Sequence, residues 1–226
     1  MADAVSKRTE LQVVPLSRDT LQERVYRQVS DLILDGEIAP GQMVTIQSLA
    51  EAFGVSAMPV REALKRLTAA SALTLVTGRS MGIPRLSLDR LADLRRVRLA
   101  IEGLAAEWAA RSIKSDELTQ LRRQSDRLDR ALAHENAREY LRSNRAFHFI
   151  VYNATRSAAL VALIDTLWLQ ISPYFNLLHG SGNYVSANTR HQAMLEALAV
   201  RDGKGASKAL RADIDDAYHV LCKMLS

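Results

Sequence analysis

The chain has 226 residues, of which 48 % are hydrophobic and 24 % are charged. These proportions exclude a disordered protein, and the length allows one large domain or two of ordinary size. The single cysteine, Cys222, excludes an intramolecular disulfide and is typical of a reducing compartment. No apolar run is expected to approach the ~20 residues of a membrane span, and the N-terminus lacks the apolar segment of a signal peptide. We expect a soluble, cytoplasmic protein without membrane partners.

The net charge of +5 does not by itself indicate a nucleic acid partner. Basic and acidic residues cancel over residues 1–84, and the surplus of basic residues lies after them. A local group of four basic side chains indicates an anionic partner better than the net charge does. That group consists of Arg61, Lys65, Arg66 and Arg79.

Residues 1–18 have no sustained hydrophobic period and are predicted to form a flexible arm. Residues 20–34 predict an amphipathic helix, because apolar side chains recur on one face of it. These side chains are Leu21, Val25, Val29, Leu32 and Ile33. Asp35 and Gly36 are expected to end the helix.

Residues 45–67 contain two short helical patterns separated by the turn at residues 53–56. Thr45 is expected to cap the first helix and to donate to a phosphate, and Ser56 is expected to cap the second. Pro59 suits the first turn of that second helix, where a missing N–H group costs nothing. A second helix that begins polar and basic is typical of a helix-turn-helix that enters a DNA groove.

The following residues predict a small β-hairpin that completes a winged helix-turn-helix domain over residues 19–84. Its strands are expected at residues 73–77 and 81–83, joined by the turn at residues 78–80. Arg79 would lie at the tip of the wing. An ordinary helical hairpin with solvated basic residues is the alternative for this half of the chain.

The rest of the chain, residues 85–226, is predicted to be an all-helical bundle, because no strand pattern follows Pro84. The fold class is therefore mainly α, with a winged helix-turn-helix domain before the bundle. Six helices are expected at about residues 88–111, from residue 115, 138–153, 158–178, 186–200 and 205–225. Apolar residues spaced along the first of these helices are expected to face the core: Leu91, Leu94, Val97, Ile101, Leu104 and Trp108.

Four polar residues of the bundle form a candidate metal site. Asn144 and His148 lie four positions apart on one helix face, and His191 and Asp213 each lie eleven positions from Asp202. Antiparallel helices that fold back at Asp202 would place the latter two at one height, ~16 Å from the turn. Two imidazoles and a carboxylate suit Zn²⁺, Ni²⁺, Fe²⁺ or Mn²⁺. The alternatives are ordinary bundle histidines and a solvated acidic face.

Two sequence patterns resemble a known family. The pattern from Leu49 to Leu64, LAEAFGVSAMPVREAL, resembles the GntR family of bacterial transcription regulators. The bundle patterns resemble the FCD-type ligand-sensing domain of its FadR subgroup: Arg98-x-x-x-Glu102, Asn144-x-x-Phe147-His148 and His191-x-x-x-Leu195. The resemblance extends from about residue 20 to the C-terminus.

The resemblance also implies roles for individual residues. Arg61 matches a family arginine that faces DNA, whereas Ala57 stands where members usually carry a base-contacting arginine. Gln47 stands where some members carry another DNA-facing arginine. A different operator, less dependent on guanine, is therefore expected.

The same resemblance assigns metal binding to the four bundle residues. Asn144 replaces the usual aspartate and Asp213 the usual third histidine. Arg98 would bind a carboxylate effector beside the metal, because its fork matches a carboxylate, with an intrahelical pair to Glu102 as the alternative. Tyr152 and Trp168 are expected to be packing residues.

These observations predict a transcription regulator, acting as a repressor of metabolic genes. It would bind palindromic double-stranded operator DNA as a homodimer, through Thr45, Gln47, Ser56, Ala57, Arg61, Lys65 and Arg79. A small carboxylate in the bundle, held with a divalent metal ion, would shift the two DNA heads. The rival hypotheses are a metal-dependent enzyme fused to a DNA-binding head and a non-specific DNA-packaging protein.

Overall fold

The structure is a computed structural model that describes residues 21–78 and 80–225. The arm expected at residues 1–18 lies outside these residues, as does Arg79, which was predicted at the tip of the wing. In the described part of the chain, helices α1 to α3 and three short strands come first, and six helices follow. The prediction of a mainly α protein, with a helix-turn-helix domain before a helical bundle, is confirmed.

The first part, here called the head, covers residues 21–83. Its elements in chain order are α1 (Leu21–Leu34), β1 (Met43–Thr45), α2 (Ile46–Phe53), α3 (Ala57–Ala69), β2 (Thr74–Thr77) and β3 (Ser80–Gly82). The three helices bury one apolar core, formed mainly by Val25, Val29, Ile33, Val60, Leu64 and Leu67.

The two helices of the helix-turn-helix have the predicted cap residues, but only Thr45 makes the predicted capping hydrogen bond. Thr45 caps α2, since its Oγ1 accepts from the Ser48 N–H while the Ser48 Oγ accepts from the Thr45 N–H, both at 3.0 Å. Gly54 ends α2 with a φ of 63°, in the left-handed region that favours glycine. Ser56 occupies the N-cap position of α3, but its side chain makes no capping hydrogen bond.

The wing contains a strand that the hairpin prediction missed. The sheet order is β1-β3-β2, with Val44 opposite Met81 on one side of β3 and Leu75 opposite Met81 on the other. The sequence around β1 gave no strand pattern, because three residues are too few to show an alternation.

The bundle begins at residue 88. Its elements are α4 (Leu88–Ser112), α5 (Ser115–Ala133), α6 (Ala137–Ala154), α7 (Ala158–Ile171), a 3-10 helix (Ser172–Leu178), α8 (Asn183–Ala199) and α9 (Gly203–Leu225). Helix α9 packs against both α4 and α8, and α5 packs against α6 and α8. The six predicted helices are present.

Several predicted boundaries were wrong in detail. The fourth helix does not run unbroken to Leu178, because Pro173 has no N–H group for an α-helical bond and the chain continues as the 3-10 helix. The sequence favours Ser115 as the cap of the second bundle helix, but Ser115 is the first residue of α5, and Glu117 instead accepts from the Lys114 N–H at 2.9 Å. Helix α8 begins at Asn183, earlier than predicted.

Half of the apolar stripe predicted for α4 faces outward. Val97, Leu104 and Trp108 are 37 %, 37 % and 40 % exposed, whereas Leu91 and Leu94 are buried. The core face of α4 is made instead of small residues: Gly103, Ala105, Ala106, Ala109 and Ala110. These small residues allow α9 to pack closely on α4, and a Cβ on Gly103 would displace the Arg211 side chain, whose Nε it would meet at 2.6 Å.

The expectation that no apolar segment approaches the length of a membrane span was also wrong. Residues Ala158–Leu178 form a helical segment of 21 residues with a mean hydropathy of 1.4, which is long and apolar enough to cross a bilayer. Half of its most apolar window is buried inside the protein, including Ile164 and Trp168. A core helix passes the same test, and α7 is a core helix of this bundle.

Candidate metal centre and nucleic-acid interface

The outer surface of α3 presents most of the residues predicted to contact DNA. Ala57, Arg61 and Lys65 are exposed along it, and Ser56 is exposed just before its first turn. Arg61 has no hydrogen-bond or ion-pair partner among the described residues, whereas the Lys65 Nζ lies 2.9 Å from the Glu62 Oε1. An exposed pair of this kind is weak and leaves Lys65 able to bind a phosphate.

Arg66 does not belong to that surface, contrary to its predicted grouping with Arg61 and Lys65. Its Nη1 donates to the Glu23 Oε2 at 2.8 Å, and its guanidinium lies 3.7 Å from the centre of the Tyr26 ring. Arg66 therefore fastens α3 to α1. One position along a helix rotates a side chain by ~100°, so neighbours such as Lys65 and Arg66 face different ways.

Thr45 and Gln47 lie at the N-terminal end of α2. The Thr45 hydroxyl is occupied by its capping bonds with Ser48, and Gln47 is exposed. A helix N-terminus suits a phosphate, because its first N–H groups have no partner within the helix.

Three of the four predicted metal ligands meet in the bundle. His148 from α6, His191 from α8 and Asp213 from α9 place their ligand atoms within 4.8 Å of one another. The two Nε2 atoms are 3.1 Å apart, and the Asp213 carboxylate lies 3.3 Å from the His148 Nε2 and 3.8 Å from the His191 Nε2. Their helices cross at this point, so residues 43 and 22 positions apart in the chain become neighbours.

The chemistry of this cluster fits a divalent ion. Two ligand atoms that each lie 2.0–2.1 Å from one ion are separated by roughly 3–3.4 Å, which matches the distance between the imidazole nitrogens. Burial lowers the pKa of His191 to about 4, so this imidazole is neutral and has a lone pair to offer. Burial acts to raise the pKa of Asp213, but the hydrogen bond with His148 and the electrostatic interactions with the two histidines and Arg98 together hold that pKa below its ordinary value.

Asn144, the fourth predicted ligand, lies one helical turn before His148. It lines a small cavity that Asp213 also lines. The structure therefore places Asn144 beside the three-residue cluster, at the edge of the space where a ligand or a metal-bound water would lie.

Arg98 makes the intrahelical pair that was the alternative to effector binding. Its Nε and Nη2 donate to the two Glu102 oxygens at 2.5 and 3.1 Å, and both side chains are buried. Burial acts to lower the pKa of Arg98, but Glu102 and, more weakly, Asp213 raise it. Glu102 engages two of the five guanidinium N–H groups, so Arg98 retains donors for a second carboxylate.

The sequence interpretation missed a layer of polar contacts behind the cluster. The Tyr152 hydroxyl donates to the Glu102 Oε2 at 2.6 Å and lies 3.1 Å from the His148 Nδ1, and the Trp168 Nε1 donates to the same carboxylate oxygen at 3.3 Å. Tyr152 and Trp168 are thus more than packing residues. The four-residue spacing of His148 and Tyr152 was the available signal, since it places both on one face of α6.

A second missed feature is an ion-pair network between the head and the bundle, here called the clamp. Its arginines lie on α6 and its carboxylates lie at the end of α1 and just beyond it. Arg142 bonds to Asp35 at 2.8 Å and to Glu37 at 3.1 Å. Arg145 bonds to Asp31 at 2.8 Å and to Asp35 at 3.3 Å, and Arg138 also pairs with Glu37. Pairs so distant in sequence leave no periodic signal.

Two further bonds join the head and the bundle near the clamp. The Asn176 Nδ2 donates to the Gly36 carbonyl at 2.9 Å, and the Tyr174 hydroxyl donates to the Pro84 carbonyl. Gly36 has a φ of 70°, and a Cβ there would lie 2.1 Å from the Asn176 Nδ2. The left-handed conformation therefore favours glycine here, and a larger residue would displace the Asn176 amide that makes this bond.

Comparison with known proteins agrees with this architecture. The family model "Bacterial regulatory proteins, gntR family" matches residues 21–83, and the FCD domain model matches residues 93–216. The HTH-type transcriptional regulator McbR of Escherichia coli is 26 % identical over 178 residues, which cover 77 % of this chain and 80 % of that relative. A probable D-xylose utilization operon transcriptional repressor of Paenarthrobacter nicotinovorans is 24 % identical, over 92 % of this chain and 88 % of the relative.

A solved structure shares the fold. The E. coli McbR/YncC structure superposes with a TM-score of 0.85 at 23 % identity, over 92 % of this chain and all of that one. The relatives named here are transcription regulators, and this argues against the hypothesis of a metal-dependent enzyme. The chain therefore belongs to the GntR family of bacterial regulatory proteins, and it is a DNA-binding transcription regulator with a C-terminal FCD domain.

Proposed function

We propose that this regulator is a homodimeric repressor whose operator affinity depends on a divalent ion and a small carboxylate bound in the bundle. The observation that carries the proposal is the position of α6. This one helix supplies His148 to the cluster and Arg142 and Arg145 to the clamp. A ligand that moves α6 therefore acts directly on the contact that holds the head.

The proposed DNA contact is an insertion of α3 into the major groove. Arg61 would read a base edge, because its guanidinium is exposed and unengaged by the described residues. Lys65, Thr45, Gln47 and Arg79 would position the head on the phosphates and the minor groove. Ala57 offers the major groove only a methyl group, which supports an operator with fewer arginine–guanine contacts than is usual in the family.

The proposed ion is held by His148, His191 and Asp213, with Asn144 binding it or a water on it. A divalent ion there would polarise and orient a carboxylate group. Arg98 would add charge and two-point recognition through the N–H groups that Glu102 leaves available. Burial of His148, His191 and Arg98 supports a regulatory ligand that is retained and not turned over.

The proposed dimer contact is the outward apolar face of α4 together with that of α7. Val97, Leu104 and Trp108 of α4 are exposed, as is Leu163 of α7, and these two helices pack against each other. A helix that is apolar all round, as α7 is, is normally covered on every side. A second copy of the chain would cover this face, and two-fold symmetry would match a palindromic operator.

The proposal is tested with full-length protein purified without a histidine tag. Elemental analysis is expected to find one divalent ion per chain, and Asp213→Asn is expected to lose it. Operator binding is then measured for ion-loaded and ion-free protein, with citrate and other small acids as probes. The proposal requires a change of about 5-fold or more in operator affinity for one of these states.

The DNA-binding measurements also distinguish this proposal from a non-specific DNA-packaging protein. Equal affinity for random DNA and for a selected operator at fixed salt would support a packaging protein. Protein that neither contains an ion nor binds added Zn²⁺, Ni²⁺, Fe²⁺ or Mn²⁺ would refute the metal site while leaving the DNA-binding assignment intact.

A further inference from the structure

The two histidines of the candidate metal cluster are buried in this conformation, whereas the Asp213 side chain is 14 % exposed. His148 is 1 % exposed and His191 is 0 % exposed. The cavity beside Asn144 and Asp213 has a volume of about 30 Å³, which accommodates about two water molecules. Small-molecule sites typically enclose ~300–1,000 Å³. Any organic acid that reaches the cluster therefore needs a wall of this inner cavity to move.

One wall of the inner cavity is also the floor of a larger cleft. This outer cleft has a volume of about 250 Å³ and lies between the α5–α6 turn and the loop that leads into α8. The two cavities share three lining residues: Tyr140, Leu178 and Tyr184. The two cavities share no other lining residue, so these three side chains form the partition between the outer cleft and the space beside Asp213.

The partition is built from two stacked rings that are each held at the far end. The rings of Tyr140 and Tyr184 lie 3.8 Å apart between centroids and are within 8° of parallel. The Tyr140 hydroxyl lies 3.0 Å from the Tyr184 carbonyl and 2.9 Å from the Asn188 Oδ1, where it can donate to either. The Tyr184 hydroxyl donates to the Phe175 carbonyl at 3.2 Å. Hydrogen bonds and stacking thus hold the partition shut.

The loop before α8 supplies a place for the backbone to pivot. Gly180 and Gly182 have φ values of 77° and 80°, in the left-handed region. A Cβ on either would meet nothing within 4 Å, so glycine serves backbone conformation there and not packing. They lie between Leu178 and Tyr184, the two partition residues that do not come from α6. Residues of this kind commonly act as hinges.

We propose that Tyr140 and Tyr184 form a gate that controls passage of ions and small acids from the outer cleft to the ligand cluster. The rings separate when the loop at Gly180 and Gly182 pivots, and the two cavities then become one. This inference rests on the proposed ligand-binding function of the bundle. The gate adds the route by which a ligand reaches the cluster and the residues that set the rate of its entry and exit.

The opposite side of the bundle offers a competing route. A cavity of about 10 Å³ lies between α4 and α9, lined by Arg95, Arg98 and Tyr218. The Arg95 Nε donates to the Asp215 Oδ1 at 2.7 Å, and the Arg95 guanidinium lies over the Tyr218 ring. An ion pair and a ring close this side, so Tyr218 provides a matched control for Tyr140.

The test measures access to the inner cavity without requiring a metal. Ala187 lines that cavity and is buried, so Ala187→Cys in a Cys222→Ser background places one thiol there. An anionic methanethiosulfonate reagent then reports access as a rate of modification. Tyr140→Phe retains the stacked ring and removes the hydroxyl, and we expect it to accelerate modification about three- to tenfold. Tyr184→Phe is expected to act in the same direction.

Three results would overturn the gate. They are an unchanged rate in both variants, a slower rate, or an acceleration by Tyr218→Phe that Tyr140→Phe does not give. Unchanged melting temperatures show that the variants remain folded.

A second measurement separates the gate from the metal proposal. Transfer of bound Zn²⁺ to a chromophoric chelator is expected to be faster in Tyr140→Phe by a similar factor, with the equilibrium affinity within about twofold of the wild type. A gate changes the entry and exit rates of the ion by the same factor, so the equilibrium affinity does not change. Faster thiol modification in a protein that binds no Zn²⁺ would refute the metal site and uphold the gate.

Discussion

Glu102 is a buried carboxylate at the centre of a hydrogen-bond network. It is fully buried and accepts hydrogen bonds from Arg98, Tyr152 and Trp168. Glu102→Gln would leave the buried Arg98 charge without its partner, and we expect the free energy of unfolding to fall by about 3–5 kcal/mol. Urea denaturation followed by circular dichroism measures this loss.

An exposed pair on the same helix is the matched control for Glu102. Glu107 lies 3.1 Å from Arg111, and both side chains are more than one-third exposed. Glu107→Gln is expected to cost less than about 1 kcal/mol. Similar losses in the two variants would mean that burial of Glu102 adds nothing to its pairing energy.

Glu117 gives the stability a dependence on pH. Both of its carboxylate oxygens lie 2.7 Å from the Arg156 guanidinium, and this hydrogen bonding lowers its pKa below the ordinary 4.5. A lowered carboxylate pKa stabilises the folded state above the unfolded pKa, and that contribution is lost as the pH falls through the folded pKa. Glu117→Gln is therefore expected to lower the melting temperature slightly at about pH 7 and not at about pH 2. A difference that persists at low pH would exclude this ion pair as its source.

At the scale of single residues, the sequence indicated the candidate metal ligands but not the residues that surround them. His191 and Asp213 could be placed at one height because each lies eleven positions from Asp202, and the family resemblance added His148 to them. Glu102, Tyr152 and Trp168 come from three helices whose relative rotation no periodicity encodes. Arg66 was misassigned for a simpler reason: its partner Glu23 lies 43 positions away.

Helix α3 carries both an arginine proposed to contact DNA and an arginine that can serve as its control. Arg61 and Arg66 are both on α3, but only Arg61 points away from the head, since Arg66 is bonded to Glu23 on α1. Arg61→Ala is expected to weaken specific operator binding by about 1–3 kcal/mol, the value of a two-point base contact. Arg66→Ala is expected to leave the specific affinity within about twofold of the wild type. Fluorescence anisotropy against operator and random duplexes measures both, and an unchanged affinity in Arg61→Ala would remove Arg61 from the interface.

Helix α4 illustrates why an apolar stripe does not identify the core. Its core face consists largely of small residues, whereas Val97, Leu104 and Trp108 of the same apolar stripe are each more than one-third exposed. An apolar pattern indicates that a helix face is covered, but it does not indicate what covers that face. A partner subunit and the chain's own core produce the same spacing.

The outward face of α4 predicts a disruptive substitution. Leu104→Asp would bury a charge at the proposed interface, and we expect the protein to become monomeric in sedimentation velocity while retaining its helical content. Val200→Asp is the control, because Val200 is 76 % exposed at the turn after α8 and is not one of the residues proposed for the dimer contact. A Leu104→Asp protein that stays dimeric would place the dimer contact elsewhere.

At the scale of the whole molecule, the order of the two parts could be predicted and their contact could not. The change from mixed elements to helices alone after Pro84 marks the boundary in the sequence. The clamp, by contrast, joins residues 101–114 positions apart, and each of its arginines resembles any solvated arginine on a helix surface. Only the folded chain brings three arginines of α6 onto the three carboxylates near the end of α1.

The clamp leads to a prediction about signalling between the two parts. In Arg142→Gln/Arg145→Gln the bonds from α6 to Asp31, Asp35 and Glu37 are weakened, while His148 on the inner face of α6 is untouched. We expect the ion affinity of the bundle to stay within about twofold of the wild type. The factor by which the bound ligand changes operator affinity should fall from at least about 5-fold toward one.

The control for the clamp is a double substitution of equal charge, Arg122→Gln/Arg123→Gln, at exposed positions of α5. It lowers the net charge of the bundle by the same amount, so it reports any general electrostatic effect on DNA affinity. Coupling is measured as the ratio of operator affinities with and without ligand, in both double variants and at one salt concentration. Because linkage is reciprocal, operator DNA must change ligand affinity by the same ratio. If the ratio survives in the clamp variant, the signal crosses instead through contacts such as those of Asn176 with Gly36.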